Sequence, residues 1–357
     1  MTFEELVQNP APPWLNPGKK SCILLSRIQL VRNMKNQPFP AAAGGRGRPA
    51  AAEAAAEAVH FWNSHESGQL EELSLMPLSA VQKEVLEEKA LITPNLVSQS
   101  DHNALYVSED GSFSVLVNGY DHFRFQMIRA DRDLKKMWSD VSYADDMFGQ
   151  KIQYAFDKEF GYLTASPEWT GTGLRVSSVI FIPGIVQSKY LTRLAQSMIK
   201  LGFVMRGLFG RDAAENGCIF EMTSQISMGI SEEQLLSRLA DLLQDIEQTE
   251  QHCRDKLLKA KGGEIRDALW RSVGILKYAR QMTQEEAMGH ICRLRLGVDE
   301  GLIDSPGTGF FQHLLACTLP ARIRVMTGGE EMDQETENMR RASMLREQME
   351  NINGHGK

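Results

Sequence analysis

The sequence predicts an α+β fold that gives way, beyond about residue 250, to an all-helical region. Three observations carry this. Two strand-like runs, ALYVS and SFSVLVN, flank Glu109-Asp110-Gly111, a hairpin signal, and HFRFQM then alternates with period two. Val179-Ile180-Phe181-Ile182 is a short apolar run stopped by Pro183, the mark of a buried strand. From Ser231 onward Leu235, Leu239, Leu242 and Ile246 repeat at helical spacing.

Taken in order, residues 1–20 are rich in Pro and Asn and read as a flexible arm. Ser21 to Leu30 has the apolar density of a strand. Ala41 to Ala58 begins flexible and becomes an alanine-rich helix after Pro49, which suits a first helical turn. GGRGRP lacks the Gly-Lys-Ser/Thr ending of a phosphate-binding loop and reads as a linker. Ser79 to Leu91 predicts an amphipathic helix, with Val81, Val85, Leu86 and Leu91 inward and Glu84, Glu87 and Glu88 outward. Asp131 to Phe156 and Leu191 to Leu201 read as helices, the second ending at Gly202. FVMRGLFG returns to strand and loop.

The helical region opens on a Ser231/Gln234 capping box and runs to a Gly262-Gly263 break. Further helices are expected at Glu264–Met282, from a Thr283/Glu286 box to about Leu296, at about Phe310–Leu319 and at about Asp333–Ile352. The domains expected are therefore the arm 1–20, an α+β domain 21–250 and a helical domain 251–357.

A chain of 357 residues can bury a large core. A net charge of -7 argues against a nucleic-acid surface, and no apolar run reaches membrane-span length. MTFEELVQNPAPPW carries acids where a secretory signal carries lysines, so a cytoplasmic protein is expected. Cys22, Cys218, Cys253, Cys292 and Cys317 lack C-x-x-C spacing and read as reduced, mostly buried thiols. His252-Cys253 and His290-x-Cys292 sit in helical patterns rather than metal-ligand spacing.

The stretch with the most chemistry is FGYLTASPEWTGTGLRVSSVIFIP, Phe160 to Pro183. Gly171-Thr172-Gly173 allows close backbone approach to a ligand, and Arg175 just beyond it points to an anion. A turn beside a surface arginine is the ordinary alternative.

This stretch resembles the signature of the ATP:guanidino phosphotransferases, most closely the bacterial protein-arginine kinases, whose pattern is GYLT-x-CP-x-N-x-GTG-LRAS. LSRIQLVRNM, VNGYDHFRFQ, RGLFGRDAAENG and IFEMTSQISMGISEE match further family motifs in the same order, and LEEKALITPNL matches more weakly. The resemblance covers about residues 20–350. It implies an antiparallel sheet flanked by helices and a helical domain that supports a homodimer. It also implies arginine phosphorylation of proteins with ATP and magnesium, work with Clp-type proteolysis, and a zinc-binding activator.

Guanidino kinases hold ATP phosphates with arginines, whose planar fork binds phosphate bidentately and stays charged. The resemblance assigns that cage to Arg27, Arg124, Arg175 and Arg206. The motif blocks implied around the nucleotide are Ser26-Arg27-Ile28-Gln29, His122 with Arg124, Arg175-Val176-Ser177-Ser178-Val179, and Arg206-Gly207 with Gly210. His122 either lines that site or makes a structural hydrogen bond. No carboxylate cluster marks a dedicated metal site, so magnesium is expected to arrive with ATP.

The departures fall on the chemistry. Asn-Glu-Glu-Asp reads Asn118-Gly119-Tyr120-Asp121, with Tyr120 in the catalytic place, and Arg211 replaces the second catalytic glutamate. Ser166 replaces the reactive cysteine, Trp169 the following asparagine, Gln29 an arginine and Ala90 a histidine. A carboxylate about 4 Å from an incoming guanidinium attracts it by about 4 kcal/mol at an effective dielectric near 20, and a guanidinium there repels it as strongly. Tyr120, protonated at neutral pH, supplies no such charge. The expected protein is thus catalytically impaired, binding a phosphate ligand, partner proteins or an active paralogue. The alternative is an active kinase in which Asp212, Glu215 or Glu221 takes over. In the tail, the phosphoarginine-sensing Arg-Asp-x-x-Arg-Ala reads Glu337-Asn338-Met339-Arg340-Arg341-Ala342, expected to be a plain charged helix face.

Overall fold

The computed structural model describes residues 3–8, 21–40, 46–66, 68–96, 102–130, 133–208, 217–304, 307, 309–328 and 331–350. Most of the arm, part of the GGRGRP linker, and Gly210, Arg211, Asp212 and Glu215 lie outside them. The α+β class is as expected. The strands Leu70–Leu73, Ala104–Ser108, Phe113–Val117, Phe123–Arg129, Ile23–Arg32, Leu174–Phe181, Ile219–Ser224 and Phe203–Gly207 pair in that order, and Phe156–Asp157 and Gly161–Tyr162 form a separate two-stranded sheet. The chain divides into two compact units, residues 1–9, 26–177 and 223–240 in one, and 10–25, 178–222 and 241–357 in the other.

In the first unit, α1 (Phe3–Gln8) is followed by the main length of β1 (Ile23–Arg32). Helix α2 (Arg48–His65) starts with Pro49 in its first turn and buries Ala51, Ala55, Ala58 and Val59. Then come β2 (Leu70–Leu73) and α3 (Ala80–Glu88), whose Ser79/Gln82 capping box closes its first turn. Val81, Val85, Leu86 and Leu91 are buried as expected, whereas Glu84, Glu87 and Glu88 are half-buried rather than fully outward.

The expected hairpins are β3 (Ala104–Ser108), β4 (Phe113–Val117) and β5 (Phe123–Arg129), all antiparallel. Gly111, at φ 71°, makes their first turn. β5 also pairs antiparallel with β1, placing Gln29 opposite Gln126. Helix α4 (Leu134–Gly149) is capped by Asp133 and packs on β5 and α2. It stops seven residues short of the expected Phe156, because the Lys35 amide donates to the Gln153 carbonyl and the Ala155 amide to the Asn33 carbonyl. β6 (Phe156–Asp157) and β7 (Gly161–Tyr162) follow, then β8 (Leu174–Phe181), which runs into the second unit.

In the second unit Pro183 opens a short helix, α5 (Pro183–Gln187). After it come α6 (Leu191–Lys200), ending at Gly202 with φ 82°, β9 (Phe203–Gly207) and β10 (Ile219–Ser224). The expected break in α7 (Glu232–Tyr278) falls at Lys261, one residue before the glycine pair. α8 (Gln284–Asp299) is capped by Thr283. α9 (Phe310–Ala316) ends early, and Pro320 starts an unanticipated α10 (Pro320–Met326) before α11 (Gln334–Met349). The helical core gathers Leu269, Leu276, Ile291, Leu294, Leu314 and Leu345. All five cysteines are buried, and none forms a disulfide.

The tail corrects the sequence reading. Arg341 is 1% exposed. It donates to the carbonyls of Thr318 and Met282, to Asn338 Oδ1 and to the Glu337 carboxylate four residues back. Periodicity cannot distinguish such an arginine from a solvated one, since two of its partners, Thr318 and Met282, come from other segments.

Candidate phosphate-binding site

The glycines of Gly171-Thr172-Gly173 serve the chain itself. Gly171 has φ 120°, and a Cβ there would strike the Ser227 carbonyl. Gly173 has φ 69°, and its Cβ would lie 2.6 Å from the Val31 carbonyl oxygen. The expected close approach is therefore backbone against backbone. Ser227 Oγ donates to the Glu168 and Thr170 carbonyls at 2.7 and 2.8 Å, pinning the loop that carries Ser166 and Trp169. Beneath it Arg32 pairs with Asp145 at 2.7 Å and lies 3.4 Å from the Tyr162 ring centroid.

Arg27 on β1 and Arg124 on β5 are both half-buried. Arg124 Nη2 donates to the Leu91 carbonyl at 2.9 Å and to that of Ala90 at 3.4 Å, and its buried Nε has no partner among the described residues. Burial and then the charge of Arg27 push the Arg124 guanidinium down to about 10. Ala90 is held at φ 58° and also accepts from Gln126. Gln29 donates to Gln126 at 2.7 Å, which makes a neutral amide pair beside it.

Arg175 on β8 is half-buried and faces the pinned loop. Its Nη2 lies 2.9 Å from Glu168 Oε2, and its guanidinium carbon 4.3 Å from the Trp169 ring centroid. Ser26, Ile28, Val176, Ser177, Ser178 and Val179 are buried strand residues. Arg206 and Glu221 belong to the second unit, Arg206 exposed on β9 with Gly207 beside it, Glu221 half-buried on β10. Among the described residues, no group of three or more His, Cys, Asp or Glu side chains is placed to hold a metal ion.

The turn between β4 and β5 holds Tyr120, the position expected from the motif to be catalytic. Asn118 adopts φ 60° and donates to the Arg48 and His102 carbonyls, while Tyr120 is 50% exposed. Asp121 is buried, its Oδ1 accepting from Asn33 Nδ2 and the Ala165 amide, both at 2.6 Å. Burial raises its carboxyl despite those two bonds.

His122 makes a structural hydrogen bond, one of the two roles the motif leaves open to it. It is fully buried and its Nδ1 accepts from the Met34 amide at 3.2 Å. Burial pushes it down to about 4, against a small opposing pull from the Pro38 carbonyl. Because its folded value lies below the unfolded value of about 6.5, its neutral form contributes stability at neutral pH that is lost as pH falls from about 6.5 to about 4. In chemical denaturation, the stability gap between wild type and His122→Gln is expected to narrow over that window. A gap independent of pH would refute the assignment.

Two family models cover most of the chain. Residues 52–253 match the ATP:guanido phosphotransferase C-terminal catalytic domain, and residues 262–357 the C-terminal domain of the protein-arginine kinase McsB. The chain belongs to the ATP:guanido phosphotransferase family. Guanido phosphotransferases of the protein-arginine kinase type resemble it over its whole length. The protein from Desulforamulus reducens is 32% identical and that from Pelotomaculum thermopropionicum 34%, each over 99% of both chains. Among solved structures, a lombricine kinase gives a TM-score of 0.55 at 16% identity, over 72% of this chain and 77% of that one. The duplicated taurocyamine kinase of Schistosoma mansoni, bound to transition-state-analogue components, gives 0.56 at 17%. That match covers 74% of this chain and 38% of the duplicated one. Both likenesses support the guanidino-kinase fold expected from the motifs.

Proposed function

We propose that this chain is a catalytically impaired protein-arginine-kinase relative that keeps a positive site for ATP or another phosphate ligand. It acts through binding, to protein substrates, an active paralogue, Clp-type proteolysis components or a second copy of itself. Its place is the cytoplasm, in keeping with five buried cysteines, none in a disulfide. The observation that carries this reading is Arg124. It is half-buried beside a second guanidinium and hydrogen-bonded to neutral carbonyls, so an incoming polyanion relieves the repulsion. Magnesium comes with the nucleotide, held mainly by phosphate and water. Tyr120 and Arg211 leave the arginine acceptor without its two carboxylates.

ATP is expected to stabilise the protein thermally. Arg124→Ala and Arg175→Ala should each weaken ATP binding by roughly ten- to a hundredfold, as loss of a charged hydrogen bond implies. Incubation with ATP and an arginine-rich protein should yield no phosphoarginine by mass spectrometry. Turnover lost in Asp212→Ala or Glu215→Ala would establish the active-kinase alternative, and no ATP binding at all would sink the proposal.

A further inference from the structure

Position 168 is open in the family pattern, and here it carries a carboxylate aimed at a phosphate-site arginine. Glu168 Oε2 lies 2.9 Å from Arg175 Nη2, and the Glu168 side chain is 61% exposed while that of Arg175 is 19% exposed. Trp169 lies against the same guanidinium, with 4.3 Å between the arginine carbon and the ring centroid. The loop holding both residues is fixed at its backbone. Ser227 binds the Glu168 and Thr170 carbonyls, the Thr172 amide donates to the Ser227 carbonyl at 3.0 Å, and the Gly173 amide to the Trp169 carbonyl at 3.1 Å.

From this geometry we infer that Glu168 is a built-in competitor for the phosphate ligand, a tethered carboxylate that occupies Arg175 until a polyanion displaces it. The physical basis is short. A carboxylate and a phosphate offer a guanidinium the same oxygen-acceptor geometry, so they exclude one another at one nitrogen fork. A fixed loop keeps the carboxylate at high effective concentration without a binding cost. Exposure of Glu168 limits the pair's strength and leaves its side chain free to swing into water when phosphate arrives. Trp169 keeps the guanidinium in place through the exchange, since its ring favours a cation at that distance whichever anion is bound. The backbone stays put. The gate is one side chain.

This inference rests on Arg175 contacting phosphate. The test is ATP affinity by titration calorimetry for wild type, Glu168→Gln, Arg175→Ala and the double variant. Glu168→Gln is expected to tighten ATP roughly two- to fivefold, the range an exposed ion pair supports, with the gain shrinking as salt rises. In the Arg175→Ala background the same substitution should have no effect, because the competitor has lost its target. If Arg175→Ala weakens ATP while Glu168→Gln leaves it unchanged, the competitor is refuted and the phosphate site stands. If Arg175→Ala changes nothing, both fall.

Discussion

Replacing Arg254 with methionine is expected to cost about 3–5 kcal/mol of stability, the range for breaking a buried ion pair by removing one partner. Arg254 is 2% exposed and sits among carboxylates. Its Nε donates to Glu250 Oε1 at 2.6 Å and its Nη1 to Asp299 Oδ2 at 3.2 Å, with Glu300 at 3.6 Å. Burial alone would lower this guanidinium, but Glu250 and then Asp299 more than reverse that and hold it raised. Glu250 also accepts the Gly184 and Ile185 amides at 2.8 Å, satisfying the first turn of α5. Methionine would fill much of the volume but leave Glu250 buried with only those two amides, a charge without its counter-ion. Chemical denaturation of wild type, Arg254→Met and Arg254→Met/Glu250→Gln measures this. The double variant should recover part of the loss, because neutralising the stranded carboxylate removes its desolvation cost. A loss below about 1 kcal/mol would mean that water reaches the cluster, as at an exposed pair.

That cluster marks the limit of what the sequence discloses. The Glu250/Arg254 spacing is visible as an i,i+4 pair, but nothing in the string says that Asp299 and Gly184 close over it. The burial of Arg341 escapes the sequence for the same reason: helical periodicity reports which side chains share a face, not which face a distant segment covers. Where elements depend on local pattern, the reading survives, as in the β3–β4–β5 hairpins, the Ser231/Gln234 box and the stop at Gly202. Helix α4 was overextended because Ile152 keeps its apolar pattern going past Gly149, while hydrogen bonds to Asn33 and Lys35 redirect the chain. In the candidate site, motif order singled out Arg27, Arg124 and Arg175. It missed that Asn33, Asp121 and His122 form the buried scaffold beneath the Tyr120 turn, and that Glu168 engages Arg175. A lone glutamate at an unconstrained motif position gave no signal.

On the proposal of an impaired kinase, placing glutamates at both positions, Tyr120→Glu with Arg211→Glu, is expected to raise arginine phosphorylation from background to a level at least about a hundredfold higher, given two attractions of about 4 kcal/mol each before screening. Tyr120 is the position to change, because it is 50% exposed and makes room for a new side chain at little cost in stability. Its neighbour Gly119 is not, since even a Cβ there would meet Leu116 Cδ2 at 3.3 Å and a longer side chain would be forced into the core. Each single variant should recover far less, because one carboxylate cannot grip both edges of a planar guanidinium. Phosphoarginine measured by mass spectrometry in the four combinations decides it. A strongly cooperative gain would mean that impairment resides in those two positions and that the arginines still seat the γ-phosphate in line. No gain, with ATP still bound, would place the lesion elsewhere in the acceptor site. Ser166 and Trp169, on the segment fastened down by Ser227, are then the positions to change to the cysteine and asparagine that the resemblance implies there.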